Sequence, residues 1–245
     1  MKLAVLGATK GMGRALARLA AERGDELCIL GRNVADLERS AADLGVRGEA
    51  GSVAVVACDL ERPEMFGSAI SQAREALGGL DAVVVTAAIF ATQEELEADA
   101  VLAERLLSIN FTNTVLFCEA AKRALLEEGG GTLCVFSSVA GERGRKPVII
   151  YGAAKAGLSR YLEGLDHKHR SDGLHVITVK PGFVKTSMTA GLEPPPFAGE
   201  PDQVAERALS AIRRGTPVVY APAPWRLIMA IIRALPRAVM RRISF

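Results

Sequence analysis

The stretch Lys2–Gly13, KLAVLGATKGMG, is a short apolar run that leads into three glycines spaced GxxxGxG. Residues 14–23 follow with helical composition, so the stretch predicts a strand, a glycine turn and a helix. Glycines let the backbone turn sharply and approach a ligand, and the free N–H groups at a helix start attract a pyrophosphate. We therefore expect a dinucleotide-binding turn formed by Gly7, Thr9, Lys10, Gly11, Met12 and Gly13.

Strand-like runs alternate with helical segments along the rest of the chain. The runs lie at 26–30, 52–57, 81–85, 131–136, 174–179 and 217–220, and the helical segments at 63–77, 94–126, 148–170 and 201–214. This alternation predicts a single α/β domain over residues 1–224, a Rossmann-type doubly wound parallel sheet of about seven strands. Ligands bind such sheets at the carboxyl ends of the strands. Residues 186–202, rich in proline and glycine, are expected to form a mobile lid, called the lid segment below.

Composition excludes several classes of protein. About half of the 245 residues are apolar (49%) and the net charge is only +2, so neither disorder nor a nucleic-acid surface is indicated. The four cysteines lie in apolar runs without a CxxC pair, which predicts reduced core thiols and a reducing compartment. The chain enters its first strand without a signal peptide, so we expect a cytoplasmic protein. The three histidines are scattered, and we expect no metal site.

The second strand-like run ends in Gly31-Arg32-Asn33, without the carboxylate that would hold a ribose 2′-hydroxyl. Arg32 and Lys10 would instead attract a 2′-phosphate, which favours NADP(H) over NAD(H); the alternative is two solvated surface cations. Asp59, followed by Leu60, either accepts a hydrogen bond from an adenine amine or caps the approach to a helix. Small residues around Ala87 would let the backbone lie close to a ribose and nicotinamide.

Four further positions carry polar chemistry. Tyr151 and Lys155, in the stretch YGAAK, are four residues apart and share one helix face. An ammonium near a phenol is expected to lower the phenol pKa and to make the tyrosine a usable acid and base. Ser138 lies at the end of the fifth strand. Asn110 lies inside a helical segment, where asparagine is mildly unfavourable, so it is either simply exposed or functional.

The last 21 residues, 225–245, form a segment that we call the tail. It contains five arginines and no acidic residue, against 25 basic and 28 acidic residues in the rest of the chain. Helical spacing places its arginines on one side and its apolar residues on the other, which predicts a basic amphipathic helix, bent at Pro236. Two interpretations stay open: packing on the domain or on a second subunit, and peripheral membrane contact through residues 225–243.

Several motifs and residues occur together along the chain: GATKGMG, Asp59, Asn110, Ser138, Tyr151, Lys155 and PGFVKT at 181–186. Their order resembles that of the short-chain dehydrogenase/reductase family. The resemblance implies that Ser138 holds a carbonyl or hydroxyl oxygen and that Tyr151 exchanges a proton with it, while hydride passes between the substrate and the nicotinamide. It implies that Lys155 lowers the tyrosine pKa and grips the nicotinamide ribose, and that Asn110 holds a water. Pro181, Gly182, Val184 and Thr186 would fix the carboxamide.

The chain departs from the family pattern at two places. Val85-Thr86-Ala87-Ala88 stands where Asn-Asn-Ala-Gly is usual, so a side-chain hydrogen bond there is absent or replaced. Leu6 stands where a threonine is common, which removes a hydroxyl group but leaves the phosphate-binding backbone.

The tail and YGAAKAG are also similar to reductases of decaprenylphosphoryl 2-keto-pentose, which suggests a lipid-linked carbonyl substrate and a site on the inner face of a membrane. We expect a homodimer or homotetramer. A non-catalytic nucleotide-binding scaffold is the competing class. An epimerase or dehydratase of the same fold would carry a GxxGxxG turn and a larger C-terminal domain.

Overall fold

The computed structural model describes residues 1–48 and 52–243. Its centre is a parallel seven-stranded sheet with the order β3-β2-β1-β4-β5-β6-β7. This confirms the predicted doubly wound fold. The strands are β1 (Lys2–Leu6), β2 (Glu26–Gly31), β3 (Ala54–Ala57), β4 (Ala82–Val85), β5 (Gly131–Phe136), β6 (Leu174–Pro181) and β7 (Val218–Ala221).

Ten α-helices connect these strands or follow them in the described part of the chain. They are α1 (Gly11–Glu22), α2 (Val34–Arg47), α3 (Phe66–Leu77), α4 (Gln93–Ala98), α5 (Ala100–Leu107), α6 (Thr114–Glu127), α7 (Ile149–His169), α8 (Pro201–Arg214), α9 (Trp225–Ala234) and α10 (Arg237–Met240). Helices α7 and α8 lie within one residue of their predicted bounds. The predicted segment 63–77 begins with a 3-10 turn, Pro63–Met65, before α3.

The strands bury both faces, as their uninterrupted apolar runs predict. Along β1, Leu3 and Val5 join the core under α1, α2 and α8. Ala4 and Leu6 point the other way, into the core under α3, α6 and α7. The order of the strands reverses between β1 and β4, so the carboxyl ends of these two strands open a crevice, where doubly wound folds bind ligands.

The predicted long helix over residues 94–126 is wrong as a single element. A capping box at Thr92 begins α4, Asp99 caps α5, and a π-helical turn, Ser108–Asn113, joins α5 to α6. A π turn inserts one extra residue into a helix and is frequent at functional sites. Asn110 lies within this turn, which explains how a poor helix former is accommodated there.

The tail is two helices, because the backbone is extended at Leu235 and Pro236 between α9 and α10. The break lies where proline predicted a bend. Helix α9 is amphipathic, as predicted, and the domain covers only part of its apolar side. Trp225, Met229 and Ile232 pack with Val139 in a small core, whereas Leu227 is 69% and Ile231 is 57% exposed. Residues 244–245 of the predicted tail lie outside the described residues.

The lid segment runs from Thr186 through a 3-10 turn, Ser187–Thr189, to the start of α8. Its two ends are held together, because Val184 and Gly199 form a parallel bridge and Lys185 N donates to the Gly199 carbonyl at 3.0 Å. No described helix is long and apolar enough to cross a bilayer.

The four cysteines are buried and free. Burial raises the pKa of the Cys28 and Cys58 thiols to about 12 and raises those of Cys118 and Cys134 further still. Thiols protonated at neutral pH are poor metal ligands and poor nucleophiles. Among the described residues there is also no cluster of potential metal ligands.

Candidate active site

The glycine turn between β1 and α1 forms a cradle that side chains would fill. Gly7 and Gly11 have φ of +97° and +52°, in the left-handed region that favours glycine. A Cβ on Gly13 would lie 2.2 Å from the Gly7 carbonyl oxygen, so the closed turn requires glycine there as well. The turn leads directly into the 12-residue helix α1. This geometry fits a pyrophosphate held by backbone N–H groups and the helix dipole.

Thr86, just after β4, makes the tie that the departure from the family pattern put in doubt. Its hydroxyl lies 3.0 Å from the Leu6 carbonyl oxygen and 3.2 Å from that of Gly7. Backbone bonds from Thr86 N and Ala87 N to the Leu6 carbonyl reinforce the contact. The usual asparagine bond is therefore replaced by a threonine bond, which fixes the glycine turn against the central strand.

A cavity of about 410 Å³ extends from the glycine turn to the ends of β2 and β3. We call it the nucleotide cleft. Its lining includes Gly7, Thr9, Lys10, Arg32, Asp59, Leu60, Ala87 and Ile109. The structure thus brings predicted nucleotide-binding residues from the ends of four strands, β1 to β4, into one cleft.

Residues of both charges line the nucleotide cleft. Lys10, Arg32, Asp59 and Glu61 all line it, and the Arg32 guanidinium lies 3.7 Å from the Glu61 carboxylate. The Asp59 carboxylate accepts a hydrogen bond of 3.0 Å from the Glu61 backbone N–H, so it caps the local turn. That bond leaves its second carboxylate oxygen for a ligand. Both interpretations of Asp59 therefore remain compatible with its position.

Asn110 is fully buried and grips the loop after β4. Its Oδ1 accepts from Ile89 N at 2.9 Å and its Nδ2 donates to the Ile89 carbonyl at 2.7 Å. The expectation that it is exposed is thus wrong. This pair of bonds fixes a loop that lines the nucleotide cleft. The water-holding role implied by the resemblance stays a prediction.

Ser138 and Tyr151 line a second cavity of about 500 Å³, the catalytic cavity, together with Pro181, Gly182, Val184 and Thr186. Ser138 is the residue before a 3-10 turn, Val139–Glu142, and its hydroxyl accepts from Ala140 N at 3.1 Å. The Tyr151 ring packs edge-on against Phe90, with 5.3 Å between ring centroids. Phe90 and Met188 line both cavities, so the two adjoin.

Lys155 lies one turn along α7 from Tyr151 and is 2% exposed. Its Nζ donates to the Phe136 carbonyl oxygen at 3.0 Å and lies 5.9 Å from the centroid of the Tyr151 ring. The predicted shared face is confirmed: the ammonium lies behind the phenol, at the end of β5.

The expected lowering of the Tyr151 pKa by Lys155 is not what the structure shows. Burial raises the pKa of Tyr151 to about 12, an effect that the hydrogen bond to Ser138 partly offsets. Burial also lowers the pKa of Lys155 to about 8. Desolvation acts on both groups because they share a site with little water, and it disfavours the charged form of each.

Two residues that the sequence did not single out hold α7 in place. Gln93, 6% exposed, accepts hydrogen bonds at its Oε1 from Ile149 N at 2.8 Å and Ile150 N at 3.2 Å, the first residues of α7. Ser137 donates from its hydroxyl to the Lys155 carbonyl at 3.0 Å and lies 2.7 Å from the Ser159 hydroxyl. The only sequence signal for Ser137 was its position at a strand end, and Gln93 had none.

The tail closes one side of the catalytic cavity. Trp225 lines it, and a Cβ on Gly182 would lie 2.1 Å from Trp225 Nε1. That indole N–H donates to the Phe197 carbonyl of the lid segment at 3.3 Å. Arg143 donates to the Leu235 carbonyl at 2.7 Å, which ties the tail to the loop after Ser138. The tail thus packs on the domain, as one of the two interpretations expected.

Comparisons with known proteins show the family of this chain. The family model of the short chain dehydrogenases matches residues 2–196. An uncharacterized oxidoreductase of Streptomyces coelicolor is 36% identical over 251 residues, which cover 98% of this chain and 95% of the relative. An uncharacterized oxidoreductase of Mycobacterium tuberculosis is 31% identical over 97% of this chain and 95% of its own length. Carbonyl reductase family member 4 of Xenopus tropicalis is 28% identical over 84% of this chain and 88% of its own.

Solved structures show the same fold. A short-chain type dehydrogenase/reductase from Mycobacterium marinum superimposes with a TM-score of 0.81 at 23% identity, covering 89% of this chain and 93% of its own. The family model matches most of the chain, and the structure contains the glycine cradle and brings Ser138, Tyr151 and Lys155 together. This protein is therefore an oxidoreductase that belongs to the short-chain dehydrogenase/reductase family.

Proposed function

We propose that this protein transfers hydride between NADP(H) and a carbonyl or secondary alcohol substrate, with Tyr151 as the acid and base. The observation that carries the proposal is the pairing of Ser138 and Tyr151 in a wall of the catalytic cavity, which adjoins the nucleotide cleft. A substrate oxygen placed between the two hydroxyls would receive a hydrogen bond from each. The bound nicotinamide would supply the hydride chemistry at the neighbouring carbon.

The charges of the site suit reduction. With a pKa raised to about 12 by burial, Tyr151 holds its proton at neutral pH and is able to donate it to an oxygen that gains negative charge. Ser138 polarises the same oxygen. Lys155, within the buried site, favours that transfer when it is protonated, because a nearby cation stabilises the phenolate left behind. In the reverse direction Tyr151 accepts the proton of the alcohol.

NADP(H) rather than NAD(H) is proposed because Lys10 and Arg32 both line the nucleotide cleft. A 2′-phosphate there would make charge-assisted hydrogen bonds that a 2′-hydroxyl lacks. The test is a comparison of NADPH and NADH at equal concentration with one carbonyl substrate. A higher kcat/KM with NADH would overturn this assignment.

The substrate is expected to be largely apolar around its carbonyl. Phe90, Val139, Leu192 and Trp225 line the catalytic cavity, whose charged lining residues are Arg145 and Glu193. The name of the Xenopus relative, a carbonyl reductase, supports a carbonyl substrate. The direct experiment tests a panel of carbonyl compounds that includes a polyprenyl-phosphate keto-sugar. The oxidation of NADPH measures the reduction of each compound. If no member is reduced although NADPH binds, the nucleotide-binding scaffold becomes the better interpretation.

The exposed face of the tail supports a second, independent proposal, contact with an anionic membrane surface from the cytoplasmic side. Leu227 and Ile231 are largely exposed on α9, and the arginines at 226, 233, 237, 241 and 242 are exposed around them. Apolar side chains flanked by cations are the pattern of interfacial helices. The buried face of α9 stays on the domain in this arrangement.

The membrane proposal is tested by co-sedimentation with vesicles of phosphatidylcholine and phosphatidylglycerol. The variant Leu227→Ser with Ile231→Ser removes the exposed apolar groups without changing charge, and Val101→Ser, at a position 74% exposed on α5, is the matched control. Equal recovery of all three proteins would contradict the proposal. A homodimer or homotetramer is proposed on the family resemblance alone, and sedimentation equilibrium measures it.

A further inference from the structure

Glu61 lines the nucleotide cleft, in which the proposed function places a 2′-phosphate. Two arginines approach its carboxylate from different elements. Arg105, on α5, makes a bidentate contact, with its Nη2 2.6 Å from Glu61 Oε1 and its Nε 3.1 Å from Glu61 Oε2. Arg32, after β2, lies farther away, with its Nη1 3.7 Å from the same Oε1.

The geometry assigns Glu61 to Arg105 rather than to Arg32. Parallel N–H bonds from one guanidinium to both carboxylate oxygens are the strongest form of this contact. The contact with Arg32 is single and longer than a hydrogen bond. The same pairing holds the pKa of Glu61 below its usual range, chiefly through the hydrogen bonds from Arg105, so the carboxylate stays ionised.

The charged residues that line the cleft show why the pairing matters. The lining residues Lys10 and Arg32 carry two positive charges, and Asp59 and Glu61 carry two negative charges, so the lining alone is neutral. Arg105 does not line the cleft, but its contact with Glu61 leaves a net positive charge there. An unpaired Glu61 would repel a phosphate and would compete with it for Arg32.

We propose that Arg105 is a positioning residue for cofactor specificity: by holding Glu61, it leaves Arg32 and Lys10 available to a 2′-phosphate. This inference rests on the proposed use of NADP(H) and names the residue on which that preference depends. The backbone around Glu61 is held independently of Arg105, because Asn113 Nδ2 donates to the Leu60 carbonyl at 2.6 Å and Asp59 caps the turn. Replacing Arg105 should therefore change the charge while the loop keeps its place.

The experiment uses two probes that differ by one phosphate, adenosine 2′,5′-bisphosphate and adenosine 5′-monophosphate. Isothermal titration calorimetry measures the affinity of the full chain for each, and the ratio of the two affinities is the specificity for the 2′-phosphate. For Arg105→Gln we expect this ratio to fall by about 3- to 10-fold, because an unpaired carboxylate repels a nearby phosphate through the water-filled cleft. Higher salt should shrink the difference.

Two further variants separate this role from a structural one. Glu61→Gln should raise the ratio above that of the wild type. Adding it to Arg105→Gln should restore the ratio to at least the wild-type value, because no carboxylate is left to neutralise. Arg62→Gln is the matched control, since Arg62 pairs with Glu64 at 3.0 Å and is absent from the cleft lining. We expect its ratio to stay within about twofold of wild type.

The outcomes are distinct. Equal affinity of the wild type for both probes would overturn the NADP(H) assignment and this inference together. A wild-type preference that Arg105→Gln leaves unchanged, or that Glu61→Gln does not rescue, would overturn this inference alone. An effect of Arg62→Gln as large as that of Arg105→Gln would also overturn this inference. It would show that the affinity ratio responds to the loss of any nearby positive charge and not to the contact between Arg105 and Glu61. If Arg105→Gln does not fold, Glu61→Gln alone still tests the repulsion on which the inference depends, and a ratio that does not rise above the wild-type value would overturn it.

Discussion

Lys155 Nζ donates a hydrogen bond of 3.0 Å to the carbonyl oxygen of Phe136, the last residue of β5. The bond holds an ammonium that is almost entirely buried at the strand end from which Ser137 and Ser138 continue. Burial lowers the pKa of this ammonium from its ordinary 10.5 to about 8. Lys155 is therefore expected to destabilise the unliganded fold, although its charge supports the proposed proton transfer.

The pH dependence of stability tests this expectation through Lys155→Met. A cation whose pKa is lower in the folded state opposes folding fully below pH 8, and its penalty disappears as the pH rises to 10.5, where the unfolded chain also loses the proton. We expect the variant to be more stable than wild type by about 3 kcal/mol near pH 7. Urea unfolding at several pH values measures this, and a difference that does not shrink between pH 8 and 10.5 would contradict it.

Tyr151→Phe removes the proposed acid and keeps the ring that packs against Phe90. We expect kcat for carbonyl reduction to fall by about 10²- to 10⁴-fold, the usual contribution of general acid catalysis. NADPH affinity, measured by fluorescence titration, should stay within about twofold of wild type. If the variant turns over an identified substrate at the wild-type rate, Tyr151 is not the acid.

Gly13→Ala tests the glycine cradle. Its Cβ would lie 2.2 Å from the Gly7 carbonyl and 2.3 Å from the Thr86 hydroxyl, so the turn must open and nucleotide affinity should fall at least about tenfold. Gly67→Ala is the matched control, because a Cβ there meets no atom within 4 Å. The control should be neutral or stabilising by up to about 1 kcal/mol. Equal NADPH affinity of the two variants would refute the cradle.

Gln93→Ala should loosen the start of α7. It leaves the N–H groups of Ile149 and Ile150 without their acceptor, and the loss of a partly buried hydrogen bond costs about 0.5 to 1.5 kcal/mol. Urea unfolding measures the loss, and kcat should fall with it because Tyr151 lies on that first turn. Gln72→Ala, which removes an exposed hydrogen bond to Ser68, is the control and should change stability by less than about 0.5 kcal/mol.

Local patterns predicted the elements whose chemistry is local. The bounds of α8 follow from Pro201 and Gly215, and the glycine turn follows from Gly7, Gly11 and Gly13. Long-range contacts could not be predicted from local patterns, because they depend on the folded chain. Thr86 reaches the Leu6 carbonyl 80 residues away, and Gln93 caps a helix 56 residues later. For the same reason the sequence does not show which part of the apolar side of α9 is buried, since this depends on the packing of Trp225.

Trp225 gives the tail a role in the catalytic cavity that is separate from any membrane contact. Trp225→Ala would open the wall beside Gly182 and remove the hydrogen bond to the Phe197 carbonyl. We expect KM for an identified carbonyl substrate to rise and kcat to fall, in buffer without lipid. Leu227→Ala, at a position 69% exposed on the other face of α9, should leave both unchanged. A chain ending at Ala223 should resemble Trp225→Ala in lipid-free assays, because both lose the same wall. If the shortened chain keeps wild-type kcat and KM there, the tail is not part of the catalytic cavity.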